Sequence, residues 1–112
     1  MNKNAKYIEI ELDKPRNLLF DLNAMAAYEK ETGKNFLDLP GEKVSATLLR
    51  VVLWAGLIHE DKTLTLEKVG AMMDAENMVT IQKKIVEATV ANSPKVEEGA
   101  IDPNALKLET PN

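Results

Sequence analysis

The chain contains no cysteine and a single histidine. Without thiols it has neither a disulfide framework nor a thiolate zinc site, and a reducing cytosol suits it. With one imidazole there is no two-histidine metal motif, and most nucleophilic schemes lack a base–nucleophile pair. No glycine-rich phosphate loop and no nucleophile elbow occurs. The longest apolar run, residues 51–58, falls far short of the roughly 20 residues that cross a bilayer. The polar, basic residues 1–6 lead into an alternating segment rather than an apolar signal region, so a cytoplasmic protein is expected. Clustered basic residues are missing too. With a net charge of −4 and only Lys83-Lys84 adjacent, on a helix that also bears Glu87, the chain reads as a poor nucleic-acid binder.

What is present fits one small domain of 45% hydrophobic composition, expected over residues 1–92. The segment Tyr7-Ile8-Glu9-Ile10-Glu11-Leu12 alternates with period two, which predicts a strand with Ile8, Ile10 and Leu12 on one face. Pro15 suits the second position of a turn over residues 14–17, and residues 18–20 return as a second strand. The expected hairpin, residues 7–20, is marginal alone. Its apolar face, completed by Leu18 and Phe20, must lie on helices or pair with another copy's edge.

A helix is predicted over residues 22–32, capped by Asp21 and stopped by Gly33, with Phe36 packing back. Ala24, Ala26 and Ala27 on it suit either the core or a close helix partner, the core reading being favoured. The break Pro40-Gly41 places the next helix at about residues 43–59. Between Leu48 and Ile58 only Arg50 is charged and only Gly56 lacks a side chain, so this helix must be enclosed by neighbours, with something packing closely at Gly56. Trp54 is a core anchor or an interface hot spot; its apolar neighbours favour the core. Helices follow at about residues 66–75, capped by Thr65 with Leu64 stapled onto Val69, and at 78–91, capped by Asn77 and striped by Ile81, Ile85 and Ala88. Met72, Met73 and Met78 around their connection either fill gaps in the core or form an adaptable contact surface.

Beyond Ser93 the chain is punctuated by Pro94, Gly99, Pro103 and Pro111 and carries Glu97, Glu98, Asp102 and Glu109 against Lys95 and Lys107. Residues 93–112 therefore read as a disordered acidic tail, in which 105–108 offers a short docking element. No internal repeat and no sustained heptad is found. The fold expected is α+β, mainly α: a hairpin, about four helices and a tail.

His59-Glu60-Asp61 is the one cluster with chemical promise, but histidine at a helix C-terminus and acids in the following loop are ordinary structural choices. Adjacent residues on a helix also diverge, which weakens a metal site. No catalytic, cofactor-binding or metal-binding residue is assigned. Paired-carboxylate hydrolysis would require acids converging in one cleft with shifted pKa values.

The order Leu53-Trp54-Ala55-Gly56-Leu57, an acidic loop, then Leu64-Thr65-x-Glu67-x-Val69, preceded by Leu18-Leu19-Phe20-Asp21-Leu22-Asn23-Ala24 and an early Glu29-x-x-x-Gly33, resembles the tail assembly chaperones of long-tailed bacteriophages and prophages. The likeness spans roughly residues 16–90. It implies a non-enzymatic protein without cofactor in the bacterial host cytoplasm. There it binds the tape measure protein, keeps it soluble, helps recruit tail tube protein, and is absent from the mature virion. Many family members also have a longer form made by translational frameshift. Independent physical logic agrees, because a long helical tape with apolar stripes aggregates unless covered, and a helix-rich acidic binder covers it by helix-in-groove packing. Weak self-association, through the hairpin edge, is also expected. Candidate partner-contact residues are Trp54, Leu57, Met72, Met73 and Met78. The alternative is a structural tail or head component retained in the virion, where the hairpin joins an intersubunit sheet.

Overall fold

Alternation at the N-terminus does produce a hairpin, although its register differs from the expected one. In the computed structural model, which describes residues 7–91, strand β1 (Ile8–Glu11) pairs antiparallel with β2 (Pro15–Leu18). Ile8 stands opposite Leu18, Ile10 opposite Arg16 and Glu11 opposite Pro15. The connection is therefore residues 12–14, and Pro15 opens β2 instead of occupying the turn. A strand's first position tolerates proline, since no ladder donor is required there. The shift puts Arg16 and Leu18 on the inner face, where both are buried. Asp13 reaches back to Arg16 at 2.7 Å and closes the connection. β2 ends at Leu18, and residues 19 and 20, expected in the strand, lie beyond it. The Leu19 N–H instead donates to the Gly56 carbonyl at 3.0 Å.

Helix α1 (Leu22–Thr32) begins and ends as its sequence indicates. The Asp21 carboxylate accepts from the Ala24 N–H at 2.9 Å, and Gly33, at φ 75°, adopts the left-handed stop that glycine tolerates best. Its inner face is Ala24 and Tyr28, while Ala26 is exposed. Phe36 packs back edge-on against Tyr28, with ring centroids 5.4 Å apart. Phe36 also opens a short 3₁₀ helix, Phe36–Gly41, that carries the Pro40-Gly41 break.

The central helix α2 (Ala46–Leu57) is shorter than the expected 43–59 at both ends. Ser45 supplies its cap, its hydroxyl accepting from the Leu48 N–H at 3.1 Å, so the start lies three residues later. At the far end His59 and Glu60 bond to the hairpin backbone and leave the helical path. Leu49, Val51, Val52, Leu53, Ala55, Gly56 and Leu57 are buried, as an enclosed helix requires.

α3 (Leu66–Gly70) spans a little over one turn instead of reaching residue 75. The reason lies in Asp74 and Asn77. The Asp74 carboxylate accepts from the Asn77 N–H and the Asn77 amide oxygen accepts from the Asp74 N–H, both at 2.8 Å, while the Asn77 side-chain N–H₂ donates to the Met72 carbonyl at 2.9 Å. This reciprocal pair closes a turn over residues 74–77 just before α4 (Met78–Ala91), so Asn77, the expected cap, directly precedes the helix and its carbonyl accepts from the Ile81 N–H at 2.9 Å, but its side chain serves the turn. Side chains that satisfy loop backbone in this way compete with continued helix.

β1 packs on α4, β2 on α2 and α4, and α2 touches α1, α3 and α4. Ile10, Leu18, Phe20, Tyr28, Leu53, Val69 and Ile81 meet in one buried cluster around α2. This α+β, mainly helical architecture agrees with expectation. The acidic tail and its 105–108 element lie outside the described residues.

Candidate functional site

The outer stripe of α2, Thr47, Arg50 and Trp54, is not closed by the core. Residues three and four apart share a helix face, so the stripe follows from the spacing alone. Trp54 is half-buried: its ring packs on the core, and its indole N–H donates to the Leu64 carbonyl at 3.2 Å. It is therefore a core anchor whose outer edge remains accessible.

Arg50 is the hub of this face. It borders a hollow of about 740 Å³ with Tyr28, Glu31 and Lys43, one of about 390 Å³ with Met73 and Met78, and one of about 390 Å³ with Trp54 and Glu67. Three of the five expected contact residues, Trp54, Met73 and Met78, thus gather around an arginine that sequence reasoning passed over as a lone charge in an apolar run. Met72 lies apart, beside Arg16, Asp61 and Asn77 in another hollow of about 630 Å³. Leu57 is 0% exposed and touches no partner from that position, which corrects its assignment as a contact residue. Its place on the inward side of α2 is the reason.

A second surface was not singled out from the sequence. Between the 3₁₀ helix, α2 and α4 runs a groove of about 360 Å³, walled by Leu39, Val44, Leu48, Val52, Ile85 and Val86. Val44 is 55% exposed, Val86 54%, and Val90 at its end 68%. The signal was present in α4, where Val79, Val86 and Val90 recur along the face opposite the buried Ile81, Ile85 and Ala88. Only the fold shows that Val86 and Val90 border a concavity rather than stand alone.

The His59-Glu60-Asp61 cluster clasps β2. The Asn17 N–H donates to the Glu60 carboxylate at 2.9 Å. His59 Nε2 lies 2.7 Å from the Asn17 carbonyl oxygen, which only accepts, so Nε2 carries the proton. Asp61 completes the clasp at 3.3 Å from Arg16, which is 5% exposed and held chiefly by Asp13. The hydrogen bond from Arg16 lowers the Asp13 pKa to about 2. Asp61 is lowered chiefly by its bonds with Thr63 and secondarily by Arg16, while these partners raise Arg16 and Glu42 raises Lys34. Among the described residues no group of three or more histidines or carboxylates is arranged to hold a metal ion. No helix among them is long and apolar enough to cross a membrane.

Compared with family models, curated proteins and solved structures, the chain matches none.

Proposed function

We propose that this chain is a non-catalytic tail assembly chaperone of the long-tailed phage type, which covers an apolar helical stripe of a tape measure protein and helps bring tail tube protein to it. The observation that carries the reading is the open apolar groove between α2 and α4, with Val44, Val86 and Val90 more than half exposed along it. An amphipathic helix that lays its apolar face into such a groove buries surface on both partners. The resemblance across residues 16–90 supplies the identity of the partner. In this reading the chain acts in the host cytoplasm and is not in the virion.

The alternative, a component retained in the particle, relied on a hairpin edge free to join an intersubunit sheet. Glu60 and His59 occupy the outer side of β2 at Asn17, leaving that role, and any edge-mediated self-association, to β1. Co-expression with the tape measure protein of the same locus tests the chaperone reading. A soluble complex is expected; an insoluble tape with nothing co-purifying would remove its main support. Stoichiometric copies in purified particles, measured by mass spectrometry, would establish the alternative instead.

A further inference from the structure

Gly70 closes α3 in a place where its backbone does not require glycine. Among the described glycines only Gly33 has a positive φ. At Gly70 a Cβ would stand 3.1 Å from Arg50 Cδ, so the missing side chain leaves room for the arginine stem, at a cost in helix propensity. The arginine so accommodated has no acceptor among the described residues. Its Nε is buried and unpaired, in contrast to Arg16 and Lys34, each of which holds a carboxylate. The hydroxyl of Tyr28, a residue 0% exposed that lines the 740 Å³ hollow together with Arg50, is likewise buried without a partner among the described residues. Buried polar groups left unpaired are costly, and two that belong to side chains lining one hollow point to an acceptor that comes from outside.

We propose that this hollow between α1 and α2 is a recognition site for a single carboxylate, carried by an aspartate or glutamate side chain of a partner polypeptide. Arg50 supplies the planar fork that suits a carboxylate, and the Tyr28 hydroxyl is the second donor. The walls argue for one negative charge and not two. Glu31 and Glu42 border the hollow with Lys34 and Lys43, and Lys34 is already bound to Glu42 at 2.9 Å, so with Arg50 the wall is left with one uncompensated positive charge, which a single carboxylate neutralises and a dianionic phosphate exceeds. Leu48, Val51 and Leu66 also line the hollow and suit the methylenes of an acidic side chain. The inference rests on the chaperone reading only for which chain brings the carboxylate.

The test needs no tape measure protein. The full chain, labelled with ¹⁵N, is titrated with N-acetyl-glutamate amide, its glutamine counterpart and inorganic phosphate at constant ionic strength, while the Arg50 Nε–H and Trp54 indole signals are followed. The glutamate probe is expected to move Arg50 saturably and the glutamine probe to leave it unmoved. Arg50→Gln is expected to abolish binding, and Tyr28→Phe to weaken it roughly threefold to tenfold, with the Trp54 indole signal reporting an intact fold in both. Equal responses to the two amides, tighter binding of phosphate, or undiminished binding in Arg50→Gln would each overturn the proposal. So would a shift of Arg50 in the ligand-free Glu31→Gln variant, because it would place Glu31 in the fork already. Failure of co-expression with saturable glutamate binding would leave the site standing and remove only the tape measure as its source.

Discussion

The ring of Phe20 occupies the space where a side chain at Gly56 would begin: a Cβ there would lie 2.7 Å from Phe20 Cζ and 3.0 Å from Leu18 Cδ2. The Leu19 N–H donates to the carbonyl of the same glycine at 3.0 Å. Hairpin and central helix are thereby joined backbone to backbone at one point. Gly56→Ala should gain about 1 kcal/mol of helix propensity yet destabilise the protein by about 1–3 kcal/mol net, because overpacking displaces a buried ring. Urea denaturation reads the difference, and Gly41→Ala, with nothing within 4 Å, is the control expected to be near neutral.

Arg16 makes the hairpin sensitive to acid. Asp13 has a folded-state pKa lowered to about 2, and Asp61 is lowered as well. A carboxylate with a depressed folded pKa contributes stability that is complete above its unfolded value and is lost as pH falls through the folded one. Stability should therefore decline between about pH 4 and pH 2. Asp13 is 47% exposed, so solvent screening limits its own share to about 1 kcal/mol or less. Removing both acids is different in kind, because Arg16 is then buried without a counter-charge. Asp13→Asn with Asp61→Asn should be non-additive, the double variant losing more stability than the two single variants together, measured at pH 7 as a double-mutant cycle.

Glu60 seals the outer side of β2. Glu60→Ala should expose the Asn17 amide and raise its hydrogen-exchange rate severalfold, at about 1 kcal/mol of global stability. Exchange at Asn17 that is unchanged in the variant would show that the clasp does not hold the edge.

Val86 separates fold from binding. It is 54% exposed, so Val86→Asp should alter stability by no more than about 0.5 kcal/mol. The charge nonetheless enters the apolar groove, and tape measure protein co-expressed with the variant should return to the insoluble fraction. Full solubility with Val86→Asp would move the contact off this face.

The features legible in the chain alone were those whose partners lie within one turn of helix or one pleat of strand. Asp21 caps α1 and Gly33 ends it because those bonds span three or four residues. The alternation around Ile10 gave a strand, the run from Leu48 to Leu57 an enclosed helix, and Ile81, Ile85 and Ala88 a buried stripe, since periodicity states which face is apolar. Tertiary structure alone decided the fate of isolated polar residues and of register. Arg16 faces inward because β2 pairs one way against β1, and Glu60 is a clasp because α2 ends beside Asn17. Arg50 has no acceptor among the described residues because the elements packed around it bring none, and Leu57 is hidden because its side of α2 meets the core. A charge or a methionine carries no record of its distant neighbours, and burial and pairing are properties of those neighbours.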